Sequence, residues 1–490
     1  MKRKDIPMLN VLTESELEQI HQGSLQVLEK AGIRVMSDKA LKFISSVGVK
    51  VDFEAKKVYF PPDYVANALK SAPAEFTLYG RGENASEIRL GDGDSVYTTS
   101  GFGSPSFIDL ETGVKRQATK KDLADLMRLH ESCLTDIVMN EVTPQDAENM
   151  ALTDLECPLI VWDNTHKHYL FEAFSAEHLH AILEMAAIVA GSEAELKKRP
   201  IVSLQLSAVS PLVMPPEVAE GLIEGAKSGI PIGYWTLCQA GASSPLTLAG
   251  TLVQQNAEVL AGLVLAQLSR PGAAFMYGSY CAPLDLRTGV FASGSPETAL
   301  MTAATAQLCR HYRLPFLAAA GTTESILMDA QNGYERAVGI LLAMLSGANI
   351  VHGAVSAWQE SVLAASPAQV LISNEITEMI YRVLQGVNVS AETLAVDTII
   401  ELGPGPQVDH LSQPLSRDLY AAERWQPRLG NRRNRMMWES KGSPSIADTA
   451  KERAREMLAK AQGGLLSPRQ KEALTAILCQ AQQAASTPAG

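Results

Sequence analysis

The 490-residue sequence lacks the features that mark secreted, membrane-spanning and disulfide-bonded proteins. Its six cysteines are scattered without a C-x-x-C pair, which predicts reduced thiols in a cytoplasmic protein. The amino-terminal stretch reaches charged residues before any apolar run long enough for a signal peptide, so we do not expect secretion. The longest apolar stretches, such as residues 259–268, fall short of the roughly 20 residues that cross a bilayer, and no membrane span is predicted.

Positive charge and nucleotide-binding motifs are also scarce. The chain has 42 Lys and Arg against 54 Asp and Glu, a formal net charge of -12 that disfavours nucleic acids and anionic membrane surfaces as partners. We interpret the basic run at residues 424–438 as a solvated face or an interface. There is no Walker-type loop, and the glycine-containing segment at Gly101 lacks the third glycine of a dinucleotide site.

What the sequence does contain is a globular composition, 46% hydrophobic and 20% charged, that can bury a large core. From about residue 95, short β-rich runs alternate with longer amphipathic segments, a pattern typical of βα units and a parallel sheet. We predict an α/β protein in three parts: an amino-terminal α+β extension at 1–90, a (β/α)₈ barrel at 91–390, and a carboxy-terminal helical extension at 391–490. The end of that extension is predicted as two helices separated at Gly463 and Gly464.

The barrel prediction depends on counting eight βα units. Their strands are predicted to begin at Ser95, Asp136, His168, Ile201, Ile230, Ala273, Pro315 and Asn349. A helix-like stretch follows each strand. An open, doubly wound sheet is the alternative, because alternation alone does not require closure, but eight similar units favour the barrel.

In such a barrel the carboxyl ends of the strands converge on one pocket. Aromatic and amide side chains dominate the residues expected there. They are Phe102, Glu141, Gln205, Tyr234, Trp235, Gln239, Tyr277, Tyr280, Thr322, Thr323, Glu324, His352 and Trp358. No lysine is placed for a Schiff base and no carboxylate cluster is dense enough for Mg²⁺, so no metal is predicted.

Five histidine and glutamate residues require a choice between chemistry and structure. His166 and His168 form an H-x-H pattern, which either binds a metal or lines the barrel floor, and the floor is favoured because the pattern precedes its strand. His352 follows the last strand, and Glu141 and Glu324 are carboxylates that must be paired or used in an apolar mouth. We take these last three as candidate catalytic residues.

The aromatic residues suggest the kind of ligand. Several rings beside a carboxylate can hold a quaternary ammonium through cation–π attraction, which is worth about 0.5 to 2 kcal/mol per ring. This pattern favours a methylated amine.

Longer segments carry a family resemblance. The chain contains TTSGFGSPSFIDLETGVKRQATKKDLADLMRL, MNEVTPQD, DNTHKHYLFEA and GTTESILMDAQNGYERA, in that order. In these segments, and over about residues 12–386, it resembles the trimethylamine methyltransferase family. The resemblance implies transfer of a methyl group from an amine to the Co(I) corrinoid of a small partner protein.

The resemblance also implies a particular branch of the family. Founding members carry pyrrolysine, whereas residues 323–327 of this chain are ordinary, which implies a non-pyrrolysine member that uses a quaternary amine. Glycine betaine is the substrate expected first, with proline betaine, carnitine or butyrobetaine as alternatives. No D-x-H-x-x-G cobalamin motif is present, so corrinoid is expected on the partner and no tightly bound cofactor is expected.

We assign roles on this basis. The ammonium head is expected at Phe102, Tyr234, Trp235, Tyr277 and Tyr280, with Trp358 also in the substrate site. The substrate carboxylate is expected at Gln205, Gln239, Thr323 or His352. A homo-oligomer is expected. Two alternatives stay open: a metal-assisted demethylation, and a betaine-binding barrel without catalysis.

Overall fold

A computed structural model of the protein describes residues 8–82, 85–406 and 408–486. Its centre is a sheet of eight parallel strands, one from each predicted unit. They are β1 Tyr97–Thr98, β2 Ile137–Val138, β3 His168–Phe171, β4 Val202–Ser207, β5 Ile232–Trp235, β6 Phe275–Ser279, β7 Phe316–Ala319 and β8 Ile350–His352. Their spatial order is β1-β8-β7-β6-β5-β4-β3-β2, and a parallel bridge between Thr99 and Ile137 joins the two ends. The predicted (β/α)₈ barrel is confirmed.

A helix follows every barrel strand. The eight are α1 Lys120–Glu131, α2 Thr153–Asn164, α3 Ala176–Ala190, α4 Pro216–Ser228, α5 Leu248–Ser269, α6 Pro296–Tyr312, α7 Ala330–Leu345 and α8 Pro367–Leu384. A turn of 3₁₀ helix, Met150–Leu152, precedes α2, and a short helix, Glu193–Lys198, follows α3. Local sequence explains several starts: Ser295 caps α6 ahead of its first-turn proline, and Thr119 forms a capping box with Asp122 at α1.

The strands separate two hydrophobic cores, one inside the barrel and one between the barrel and its helices. Residue alternation along β5 shows the division. Trp235 points inward and packs with Met276 and Leu317, whereas Tyr234 points outward and packs closely against Gly262 of α5. Each strand therefore presents every second side chain to the barrel interior.

A hairpin closes the amino end of the barrel. Its strands, Phe76–Tyr79 and Glu87–Leu90, place Leu78 and Ile88 in the interior core, and the Tyr79 amide donates to the Pro200 carbonyl just before β4, at 3.0 Å. Because the hairpin covers the amino end, a ligand would enter the barrel from the carboxyl end.

The two histidines of the H-x-H pattern lie on this closed side. His168 is buried, with Nδ1 3.0 Å from the Tyr79 carbonyl oxygen and Nε2 2.8 Å from Ser203 Oγ. His166 pairs with Glu131, with 2.9 Å between Nδ1 and Oε1. Both residues therefore have structural partners at the floor, as the favoured interpretation expected.

The remaining amino-terminal elements pack on the outside of the barrel. The helices are Glu14–Lys30, Asp38–Ser46 and Pro62–Ser71, and the strands are Ile33–Val35, Lys50–Asp52 and Lys57–Tyr59. The first of these strands pairs with Val213–Met214, a short strand after β4, so the extension is joined to the barrel by a sheet.

Two small sheets lie beyond the carboxyl ends of the barrel strands. One contains Ser106–Ile108, Lys115–Gln117, Trp358–Gln359 and Ala364–Ala365, and the other contains Gln239–Ala240, Ala282–Asp285 and Val290–Phe291. These sheets order the loops after β1, β5, β6 and β8, and so position the mouth of the barrel.

The carboxy-terminal part is helical. Its helices are Ala391–Leu394, Val396–Leu402, Pro414–Glu423, Arg435–Glu439, Ile446–Lys460 and Pro468–Ser486. The last two are separated at Gly463 and Gly464, where the Gly464 amide donates to the Asp163 carbonyl at 2.8 Å. In the described ranges, none of the helices combines the length and apolar character that a bilayer span requires.

Candidate active site

A cavity of about 390 Å³ opens at the carboxyl end of the barrel. It is lined by Phe102, Glu172, Gln205, Ser207, Trp235, Leu237, Tyr280, Phe291, His352, Trp358, Ser361 and Val362. These residues follow or end β1, β3, β4, β5, β6 and β8, so the cavity lies where the fold predicts an active site.

Aromatic rings form much of the cavity wall. The rings of Tyr280 and Trp358 are parallel within 2°, with 6.5 Å between centroids. The centroid of the His352 ring lies 5.0 Å from the ring centroids of both Trp235 and Trp358. Phe291 meets the Tyr280 ring edge-on, with 5.3 Å between their centroids. Several ring faces surrounding one small volume are suited to a ligand that carries delocalised positive charge.

His352 ends β8 as a neutral imidazole. Its Nδ1 lies 2.8 Å from Thr99 Oγ1, and the Thr99 hydroxyl donates to the Ser100 carbonyl at 2.7 Å, so Nδ1 carries the proton and donates to Thr99. Burial lowers the pKa of His352 to about 3. The Nε2 lone pair has no hydrogen-bond partner among the described residues.

Glu172 supplies the carboxylate of the cavity. It comes immediately after β3, and Gln205 Nε2 donates to its Oε1 at 2.9 Å. Burial raises the pKa of Glu172 to about 7. Our choice of strand-end residues missed Glu172, although it lies near the end of the predicted strand HYLFEA and the same rule would have selected it.

Glu141 lies behind the cavity wall. Its buried carboxylate accepts hydrogen bonds from the backbone amides of Gly101, at 2.9 Å, and Ala357. Phe102 follows Gly101 in the chain, and Trp358 follows Ala357. The Trp358 indole N–H donates to the Phe102 carbonyl at 3.0 Å. Glu141 therefore fastens together the two loops that carry these cavity aromatics.

Glu324 also lies outside the cavity lining. Its Oε1 accepts from Ser293 Oγ and from the Gly294 amide, both at 2.8 Å, and burial raises its pKa. Thr323 donates to Glu335 Oε2 at 2.6 Å. In this arrangement both residues hold the loop after β7 in place.

Three other predicted substrate residues lie away from the cavity. Tyr234 and Tyr277 point outward from the barrel, and the Tyr277 hydroxyl donates to Asn256 on α5 at 3.2 Å. Gln239 belongs to the small sheet beyond β5. Of the thirteen residues expected at the pocket, the structure brings together six: Phe102, Gln205, Trp235, Tyr280, His352 and Trp358. It places the other seven elsewhere: Glu141, Tyr234, Gln239, Tyr277, Thr322, Thr323 and Glu324.

The described part of the chain offers no metal-binding cluster at the cavity. Across the described residues there is no group of three or more His, Cys, Asp and Glu side chains arranged to hold a metal ion.

Fold and cavity together define a (β/α)₈-barrel protein with an aromatic site at its mouth. The family model described as trimethylamine methyltransferase (MTTB) matches residues 1–486. A trimethylamine methyltransferase from Desulfitobacterium hafniense is 35% identical over 450 residues, covering 91% of this chain and 88% of that protein. The glycine betaine methyltransferase of the same species is 33% identical over 431 residues, covering 87% and 88%.

A solved structure resembles the fold. The Methanosarcina barkeri monomethylamine methyltransferase has a TM-score of 0.52 at 13% identity, over 91% of this chain and 92% of that one. At that identity the likeness concerns the fold alone. From the family model and the sequence relatives, the chain belongs to the trimethylamine methyltransferase family, and it is a methyltransferase.

Proposed function

We propose that the protein transfers a methyl group from a quaternary amine to the Co(I) corrinoid of a partner protein. The observation that carries this proposal is the aromatic cavity with Glu172 at its edge. In the transfer, the C–N bond breaks, the methyl carbon bonds to cobalt, and the electron pair of the C–N bond stays on a departing neutral amine. A quaternary nitrogen needs no further activation for this step.

The side chains of the chain would act by positioning. Ring faces of Trp235, Tyr280 and Trp358 would hold the ammonium group, and the surrounding barrel would exclude water from the reacting carbon. The closed floor leaves one direction of approach, so the methyl acceptor would meet the substrate from the mouth.

The surface around the mouth supports a protein partner there. The loops after β3 to β8 expose large apolar side chains, from 40% exposed at Leu237 to 67% at Ile326. The set comprises Phe174, Val209, Leu237, Leu246, Leu286, Val290, Ile326, Leu327 and Leu363. We call this set the apolar rim. Exposed apolar surface of this extent is typical of an interaction site.

For the substrate, the resemblance favours glycine betaine. One relative is named for activity on glycine betaine, at 33% identity. Proline betaine, carnitine and butyrobetaine are the alternatives to test beside it.

The test combines purified protein, reduced cobalamin and each quaternary amine in turn, and follows the absorbance change from Co(I) to methyl-Co(III). We expect methyl-Co(III) with at least one quaternary amine and none with trimethylamine. If no quaternary amine methylates cobalamin that is demonstrably reduced, nor a reduced corrinoid protein, the proposal fails. Binding without transfer would then favour the non-catalytic barrel, and transfer that a chelator abolishes would favour metal-assisted chemistry.

A further inference from the structure

The cavity has an unbalanced set of charges. Glu172 is the only carboxylate among its lining residues, and none of them is Lys or Arg. His352 is neutral, because its pKa lies near 3. A ligand in the cavity therefore meets ring faces and, once Glu172 is ionised, one negative charge, with no cationic side chain.

The donors predicted for a substrate carboxylate are engaged or lie elsewhere. Gln205 directs its Nε2 to Glu172 at 2.9 Å, and His352 presents the lone pair of Nε2. Gln239 and Thr323 do not line the cavity. None of the four is arranged to donate to an anion in it.

The other polar atoms of the lining give little compensation. Trp235 Nε1 and the Tyr280 hydroxyl are buried, so these rings present carbon to the cavity. The hydroxyls of Ser207 and Ser361 face backbone carbonyls at 3.5 Å and carry no charge. A carboxylate brought here from water would lose hydration without gaining a charged partner.

We propose that the site selects a quaternary ammonium of net positive charge, with no carboxylate within a few bonds of the nitrogen, over a zwitterionic betaine. The free Oε2 of Glu172 pairs with the ammonium group while the aromatic rings enclose its methyl groups. This inference refines the proposed function, because it takes the cavity as the amine site and changes the expected order of substrates.

The test is equilibrium binding by calorimetry, with tetramethylammonium, choline and glycine betaine as ligands. We expect both cations to bind at least tenfold more tightly than glycine betaine. Glu172→Gln, which keeps shape but removes charge, should reduce that preference at least fivefold. The matched control is Glu335→Gln, a carboxylate outside the cavity lining, which should preserve it. Glu172→Asp, which keeps the charge, serves as the second variant if Glu172→Gln does not fold.

The outcomes separate this inference from the proposed function. Glycine betaine binding as tightly as the cations would overturn the inference, as would an unchanged preference in a folded Glu172→Gln protein. Methyl transfer from glycine betaine alone would overturn the inference and leave the methyltransferase proposal standing. Tight cation binding without formation of methyl-Co(III) would support the inference about cation selection and contradict the methyltransferase proposal.

An independent observation concerns residues 387–406 and 408–442, which we call the arm. Its four helices, Ala391–Leu394, Val396–Leu402, Pro414–Glu423 and Arg435–Glu439, contain no buried residue. Large apolar side chains are exposed along it: Val387, Val389, Leu394, Val396, Ile399, Ile400, Leu411, Tyr420, Met436 and Met437. Exposure reaches 71% at Ile400 and 85% at Leu411. An isolated subunit would gain nothing from this arrangement.

The pattern in the arm is that of an interface. Val396, Ile399 and Ile400 occupy one face of their helix, with acidic Asp397 and Glu401 at the intervening positions. The arm is fixed to the barrel near its end, where the amides of residues 428–430 donate to the buried Glu375 carboxylate. It is therefore held against α8 while its apolar face stays uncovered.

The distribution of charge along the arm indicates what covers its apolar face. Residues 388–423 contain six acidic and one basic side chain, whereas residues 424–441 contain six basic and one acidic. A second copy placed antiparallel would set each acidic half against a basic half, twice over, as a two-fold interface requires. We infer that the arm docks on the arm of a second copy of this chain.

Light scattering coupled to size-exclusion chromatography tests this. The wild type should be a dimer or larger, and Ile400→Glu should be a monomer of unchanged thermal stability, because the side chain is exposed in one copy. Phe53→Glu, at an apolar residue 53% exposed on the amino-terminal extension, is the control and should keep the oligomer. A wild type that stays monomeric at every concentration would overturn the inference and leave the face to another protein.

Charge reversal sharpens the test. Arg432→Glu with Arg433→Glu, and separately Asp397→Lys with Glu401→Lys, should each weaken self-association. Mixing the two proteins should restore a dimer, since each altered half then meets its complement. Failure of the mixture to associate more than either protein alone would contradict docking between acidic and basic halves.

Discussion

Tyr234 and Trp235 are neighbours on β5 with opposite surroundings, and this difference makes a paired test of ligand binding. Trp235 lines the cavity, whereas Tyr234 is buried against α5 with an unpartnered hydroxyl. Trp235→Leu keeps an apolar side chain but removes the ring, so binding of tetramethylammonium should weaken by about 2- to 30-fold, the equivalent of about 0.5 to 2 kcal/mol. Tyr234→Phe should leave binding unchanged. Equal affinities in the two variants, measured by calorimetry, would contradict a cation site at Trp235.

Glu172 should make cation binding depend on pH. Its pKa is raised to about 7 by burial, with a further rise from the charge of Asp154. Because the ionised carboxylate attracts a cation, affinity for tetramethylammonium should rise from about pH 6 to pH 8 and then level off. Glu172→Gln should flatten this profile. His178, which pairs with Asp154 and has a raised pKa, stays in the variant, so a persisting slope would assign the effect to that pair.

The same raised pKa has a consequence for stability. Between the pKa of an unfolded glutamate and about 7, the folded protein keeps a proton that the unfolded chain releases. The contribution of Glu172 to the free energy of unfolding is therefore present at low pH and falls as pH rises through this window. A bound cation should offset part of the loss.

Individual site residues were only partly predictable from sequence. Selecting residues near strand ends found Trp235 and His352, but it also selected Tyr234 and Tyr277. Alternation along a strand decides which residue faces inward, and the register that fixes it depends on pairing with neighbouring strands. The two tyrosines are aromatic, as the prediction required, but they occupy the strand positions whose side chains point away from the cavity.

At the scale of elements, the spacing of apolar residues predicted those helices that expose one face to solvent. All eight barrel strands lie within their predicted segments. The helix that the sequence outlined least well is α2, which has Pro158 inside it and nearly every residue buried, so no amphipathic stripe marks it. The pairing of Gly101 and Ala357 with Glu141 was not visible either, because it joins loops far apart in sequence.

Glu141 should act on binding through the two mouth loops. Glu141→Gln keeps an oxygen that can accept from the Gly101 and Ala357 amides. It replaces the Oε2 that pairs with the buried His130 Nε2 by an NH₂ group, and the loss of this acceptor should cost about 1 to 3 kcal/mol of unfolding free energy. Displacement of the loops should raise KM for the amine more than it lowers kcat. Gly101→Ala provides a second variant, because a Cβ there would lie 2.6 Å from Glu141 Oε1. A fall in kcat alone, with KM and urea stability unchanged, would instead favour direct catalysis by Glu141.

At the scale of the whole molecule, the barrel separates its tasks by direction. The floor is closed by the hairpin strands Phe76–Tyr79 and Glu87–Leu90, the mouth opens toward the apolar rim, and the arm exposes a second apolar face near α8. Composition predicted a large core but could not predict these surfaces, because the fraction of apolar residues does not tell which leucines are exposed at the rim and which are buried in the core. Only closure of the barrel places the loops after β3 to β8 around one opening.

The apolar rim should matter for the partner and not for the amine. Leu286→Glu with Ile326→Glu places two charges on loops after β6 and β7, at side chains that are 66% and 67% exposed. With a corrinoid protein that accepts methyl groups from the wild type, the double variant should raise KM for that protein at least tenfold. Methyl transfer to free cobalamin and binding of tetramethylammonium should stay within twofold of the wild type. The control, Phe53→Glu, adds a charge at an exposed residue of the amino-terminal extension that is not part of the apolar rim, and it should change none of the three. Equal losses with the corrinoid protein and with free cobalamin would mean that the rim shapes the amine site, and docking over the mouth would have to be abandoned.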